Sequence, residues 1–78
     1  MMLARVNGKI TAETVRVVDD QGDPLGVFSI ADALGLARSR REDLVEIGPD
    51  DEPPLCQVID YGKFRWRLQQ RSKDQEHD

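Results

Sequence analysis

Apolar and polar residues alternate in short runs over most of the chain, and only two stretches keep a helical period. Thr14-Val15-Arg16-Val17-Val18 is β-branched almost throughout and predicts a strand. Asp19-Asp20-Gln21-Gly22-Asp23-Pro24 is dense in turn formers, with Gly22 available for positive φ. Residues 25–28 return as a second strand, so 14–28 reads as a hairpin with a loop longer than two residues. Ser29 and Asp32 make an S-x-x-D capping box. After it Ile30, Ala33, Leu34 and Ala37 recur at helical spacing, with Leu36 widening the stripe. The spacing predicts a helix over 30–39, weakened by Gly35, which costs about 1 kcal/mol against Ala. It ends at Arg38-Ser39-Arg40-Arg41, cations that suit the negative end of the helix macrodipole.

Residues 43–47 read as a third strand closed by Gly48-Pro49. Asp50-Asp51-Glu52-Pro53-Pro54 is a loop, because each proline pushes the residue before it toward extended geometry. Residues 55–59 form a fourth strand, in which Cys56 serves as a small buried hydrophobe. Asp60 then caps a helix over 61–71. Tyr61, Phe64 and Leu68 share one of its faces, and Lys63, Arg67 and Arg71 fall at i, i+4, i+8 as a basic ridge. The first dozen residues keep no period and are interrupted by Asn7-Gly8. The organisation expected is a flexible arm over 1–12, a core over 13–60, and a linker-like helix with a frayed tail over 61–78. The order β-β-α-β-β-α predicts an α+β fold, a sheet packed by one helix with a C-terminal helical extension.

Composition narrows the function classes. A chain of 78 residues supports one small domain and a core of roughly a dozen apolar side chains, too small for a deep enclosed site. One cysteine excludes a disulfide framework, and one histidine, His77, excludes the usual zinc spacings. The acids at 50–52 lack the spacing and glycine of an EF-hand loop, so no metal and no cofactor is expected. No phosphate-binding glycine motif occurs, and Cys56 has no histidine partner except one in the tail, so the chain reads as non-enzymatic. No apolar run approaches the roughly 18 residues of a membrane span, and the first seven residues lack a signal-peptide core. A cytoplasmic protein with no membrane partner is the expectation, and a monomer, since no coiled-coil seam is visible.

The net charge of -4 is segregated. Residues 1–18 carry +2, residues 19–56 carry -7, residues 57–73 carry +4 and the last five carry -3. An acidic total opposes non-specific nucleic-acid binding, but screening confines that field to about 8–10 Å near physiological salt, so a local basic stripe can still dock on RNA.

Five pieces then appear in one order: Arg5-Val6-Asn7-Gly8-Lys9-Ile10 with Val15-Arg16-Val17-Val18; Gly22-Asp23-Pro24-Leu25-Gly26-Val27; Asp43-Leu44-Val45-Glu46-Ile47; Pro53-Pro54-Leu55-Cys56; and Asp60-Tyr61-Gly62-Lys63-Phe64. The set, over residues 5–71, resembles the N-terminal domain of bacterial translation initiation factor three. The resemblance implies a small mixed four-stranded sheet with one packed helix and a helical linker. It also implies binding to the small ribosomal subunit and its RNA, near initiator tRNA, with a part in start selection and in opposing premature joining of the large subunit. The sequence departs from the family pattern at Gln57, where a basic residue is usual, at Trp66, where Tyr or Phe is usual, and in the acids Asp50-Asp51-Glu52. It ends at Asp78, after an acidic stretch, without the family's C-terminal domain. Two readings stand: an isolated N-terminal domain, or a free-standing relative with an altered task.

The residues expected to contact RNA are Tyr61, Lys63, Arg65, Arg67 and Arg71, with additional contacts from Arg5, Lys9 and Trp66. Cations along one face take phosphates, and an exposed ring stacks on a base. The competing expectation is that Phe64 and Trp66 pack internally and the cations form a solvated face. A second function class, a protein–protein interaction module using the same surface, is separated from the first by salt dependence.

Overall fold

The computed structural model describes the backbone of residues 4–76 and the side chains of residues 4–70. Its elements are strands β1 (Thr14–Val18) and β2 (Pro24–Ser29), helix α1 (Ile30–Ser39), strands β3 (Asp43–Gly48) and β4 (Leu55–Ile59), and helix α2 (Tyr61–Glu76). The order is β-β-α-β-β-α, as the periodicity predicts. The sheet runs β2-β1-β4-β3 and is mixed: both hairpins are antiparallel and the central β1–β4 pair is parallel. A parallel pair requires a crossover, and α1 supplies it by lying across one face.

Pleating decides which residues meet that helix. Val15 and Val17 on β1, Leu44 on β3, and Cys56 and Val58 on β4 form the core with Ala33 and Ala37 of α1. The two alanines let the helix sit close to the sheet. Leu25, Phe28, Ile30, Leu34 and Leu36 pack around the margin. Ser29 Oγ accepts the Asp32 N–H at 3.1 Å, so the cap foreseen from S-x-x-D starts the helix where expected. The β1–β2 register slips between Val17 and Val18, and Gly26 opposite the slip has φ 122°, a conformation glycine adopts without strain.

Where the sequence predicts a flexible arm, residues 5–10 lie along the outer edge of β3. Arg5 O accepts the Glu46 N–H at 2.9 Å, Val6 bridges Val45, and a 3-10 turn follows over Asn7–Lys9. The Asn7 side chain accepts the Leu44 N–H at 2.9 Å and donates to Asp43 Oδ1 at 3.0 Å. Arg5 Nε donates to Glu46 Oε1 at 2.9 Å, giving a buried carboxylate its partner. Ile10 then enters the core. These contacts occupy backbone groups that a bare edge strand would leave open. Their partners are distant in sequence, so no local period could report them. Among the described residues no helix is long and apolar enough to cross a membrane.

Candidate nucleic-acid interface

The basic end of the chain is placed by two aspartates. Asp60 Oδ2 accepts the Lys63 N–H at 3.0 Å and caps α2 as the sequence predicts. Asp43 does what the sequence did not suggest. Its Oδ2 accepts the Tyr61 N–H at 2.9 Å while its Oδ1 holds Asn7. One carboxylate therefore ties the N-terminal segment to the first turn of α2, and the negative charge suits a helix N-terminus.

From that fixed start the side chains of α2 divide. Tyr61 and Phe64 stack, with ring centroids 6.2 Å apart and planes 19° from parallel. Arg65 places its guanidinium 6.0 Å from the Tyr61 ring centre, a cation–π contact that leaves its N–H groups exposed. Lys63 and Arg67 turn the other way, toward the β1–β2 turn. Lys63 Nζ pairs with Asp20 Oδ2 at 3.2 Å, and Arg67 Nη1 donates to the Asp20 carbonyl at 2.7 Å. The same turn is braced by Asp19, whose Oδ1 accepts the N–H groups of Gln21 and Asp23, and whose carbonyl accepts Gln57 Nε2 at 3.1 Å. Gln57 thus serves as a donor to the turn.

The predicted site residues are therefore not one free ridge. Lys63 and Arg67 are brought together on Asp20, Arg65 lies over Tyr61, and the side chain of Arg71 lies outside the described residues. The backbone of Arg71 continues α2. Arg5 is half exposed but paired with Glu46, and Lys9 is exposed in its turn. Trp66 is 59% exposed, which decides between the two expectations for that residue: it does not pack internally. Phe64 is half-buried, and Leu68 is 48% exposed. A shallow depression of about 400 Å³ lies among Gln57, Phe64, Trp66, Arg67, Leu68 and Gln70.

Sequence reasoning missed Asp20 and Asp43 as the groups that seat α2. Both contacts are long-range, and the only signal was composition: acids in a turn and at a strand start, facing a basic helix. Cys56 is buried as expected, and burial pushes its thiol up to about 11, with the Glu46 carboxylate adding to the rise. Thiolate chemistry is thereby suppressed. Among the described residues no group of histidine, cysteine and acidic side chains is arranged to hold a metal.

Residues 6–75 match the family described as Translation initiation factor IF-3, N-terminal domain. Translation initiation factor IF-3 of Neisseria meningitidis serogroup C is 44% identical over 72 residues, which cover 92% of this chain and 41% of that protein. The protein of the same name from Chlamydia trachomatis is 44% identical over 70 residues, covering 90% and 40%. That from Chromobacterium violaceum is 44% identical over 63 residues, covering 81% and 36%. The chain spans about two fifths of the length of these curated relatives. By the match over nearly its whole length, the chain belongs to the translation initiation factor IF-3 family, as a member of its N-terminal domain.

Proposed function

We propose that this domain acts in translation initiation by binding RNA of the small ribosomal subunit, with initiator tRNA as a neighbour, through the first three turns of α2. The observation that carries the reading is Trp66, a ring 59% exposed between Arg65 and Arg67 in sequence. An exposed indole on a helix that also carries exposed cations suits stacking on an unpaired base while the cations take phosphates of the same strand. Arg65 and Trp66 are the free side of the surface. Lys63 and Arg67 still contribute, since an ammonium has three donors and a guanidinium five, of which Asp20 takes one from each. Tyr61 supports Arg65 from below, Arg71 falls one helical turn after Arg67 in the sequence, and Arg5 and Lys9 add charge from the N-terminal segment. Nothing in this reading requires a catalytic group.

The test is Trp66→Ala and Arg65→Gln, each assayed for binding to isolated small subunits. Loss of one base stack lowers affinity by about tenfold or more. The thermal midpoint stays where it was, because neither side chain is buried. Unchanged affinity in both variants would refute this surface. A second reading, a protein partner on the same helix, draws on exposed Leu68 and the depression beside it. Binding that persists undiminished as salt is raised would favour it, since an apolar interface releases few counterions.

A further inference from the structure

We propose that the C-terminal end of α1 is a second RNA-phosphate contact surface, made by Arg38, Arg40 and Arg41 together with Lys9 on the neighbouring turn. This rests on the RNA reading above but uses the arginines of a different element, with Lys9 the one residue shared by the two surfaces. Arg38, Arg40, Arg41 and Lys9 are all exposed, and among the described residues none is paired with a carboxylate. Arg38 lines a cleft of about 390 Å³ that separates the end of α1 from Asn7 and Gly8, and Lys9 is the next residue of that 3-10 turn. The cleft also carries two acids, Asp43, whose oxygens are held by Asn7 and by the Tyr61 N–H, and Glu42, which has no side-chain bond among the described residues; neither pairs with the four cations, which outnumber them.

The helix end is closed without hydrogen bonds from the arginines, whose remaining local effect is their charge near the macrodipole's negative end. Glu42 N–H bonds Ala37 O at 2.9 Å and Arg41 N–H bonds Arg38 O at 3.0 Å, the two bonds of a Schellman motif, so the carbonyls of Ala37 and Arg38 are satisfied by backbone. No described hydrogen bond runs from any of the three guanidiniums to an α1 carbonyl, and Ser39 Oγ, not an arginine, caps Leu36 O at 2.7 Å. Arg41 occupies the C′ position with φ 56°, where glycine is the unstrained choice. A large charged residue is thus held in a conformation that opposes it, in a motif that works better without it. Strain retained in this way points to a use for the side chain.

RNA phosphate is the partner the surface fits. Guanidiniums match phosphate oxygens with paired donors, and three within four residues repeat that chemistry at close spacing. Among the described residues the exposed large hydrophobics are Val27, Ile47, Trp66 and Leu68, none of them at this end of α1, so the patch has no apolar centre of the kind a protein interface uses.

The experiment uses the 78-residue chain and its Arg38→Gln, Arg40→Gln, Arg41→Gly variant, with Trp66→Ala as the α2 control. Binding is measured to isolated small subunits by co-sedimentation, and to a fluorescent RNA duplex of about 16 base pairs by anisotropy, each over a salt series. The triple variant should bind both about tenfold or more weakly, with a log–log salt slope shallower by about 2–3. Its thermal midpoint should rise by about 3–6 °C, because glycine relieves the C′ strain. Wild-type affinity and slope in the triple variant would overturn the patch while leaving the α2 reading intact. If the wild type fails to pellet with subunits, the ribosomal reading falls. The duplex then decides the patch alone: loss of duplex binding in the triple variant supports it, and no duplex binding by either chain overturns it. Patch-dependent binding to subunits without patch-dependent binding to duplex would also overturn it, in favour of an acidic protein. A lowered midpoint would overturn the strain argument.

Discussion

Replacing Asp20 with asparagine removes one negative charge from the turn that faces α2 while keeping the side chain's size and one acceptor oxygen. Its carboxylate lies 3.2 Å from Lys63 Nζ, and its carbonyl holds Arg67. A phosphate that bonds Lys63 at roughly 3 Å stands at most about 6 Å from that carboxylate. In water, two like charges at about 6 Å repel by about 0.7 kcal/mol, which is about threefold in affinity. At 10 mM salt screening removes little of this, and near physiological salt it removes about half. Asp20→Asn is therefore expected to tighten binding to small subunits about two- to threefold at low salt and by less than twofold at physiological salt. Stability should change little: with the side chains of Lys63 and Asp20 46% and 29% exposed, the pair contributes about 0.5 kcal/mol or less after solvent screening. Co-sedimentation at several salt concentrations reads the affinity, and a thermal melt reads the fold. A weaker complex with an unchanged melt would refute the reasoning, because Asp20 would then be needed to present α2 rather than being a competitor for its cations.

Two further outcomes follow from the packing. Asn7 has φ 53° and makes two side-chain bonds to the edge of β3, so Asn7→Ala keeps the strain and orphans the Leu44 N–H. It should cost about 2–3 kcal/mol in a denaturant titration, and Asn7→Gly about 1 kcal/mol less than that; equal losses would contradict the strain argument. Cys56 is buried and its thiol titrates at about 11 rather than 9, so the folded state holds its proton more tightly than the unfolded chain does. Stability should be unaffected below pH 9 and fall as pH rises from 9 toward 11, a loss that Cys56→Ala removes. At pH 8 the native thiol should resist iodoacetamide and react once denatured; rapid native labelling would contradict its burial.

What the sequence disclosed and what it withheld divide by the range of the cause. Helix α1 spans Ile30–Ser39 as predicted because its cap, its apolar stripe and its basic end are all local. Strand β2 gains only Pro24 and Ser29 over the predicted 25–28, at the ends where pairing with β1 decides. Helix α2 runs to Glu76, five residues past the predicted end, since nothing after Arg71 breaks a helix. The N-terminal segment was legible only as aperiodic. Its order comes from Asn7 and Arg5 reaching partners 36 to 41 residues away. The basic ridge was legible as a row of cations. That Lys63 and Arg67 face Asp20, 43 and 47 residues off, depends on where the β1–β2 turn folds back. Arg41 shows the same limit: its charge is visible in the sequence, but its left-handed backbone becomes visible only with the chain reversal.

On this reading the domain carries its own affinity for the small subunit through a charged and aromatic surface. Co-sedimentation of the 78-residue chain with isolated small subunits at 50 and 200 mM salt tests it directly. The expected result is pelleting at about 50 mM that weakens steeply at about 200 mM, as release of counterions from several phosphate contacts demands. Absence of pelleting at 50 mM, or pelleting that ignores the change in salt, would contradict it.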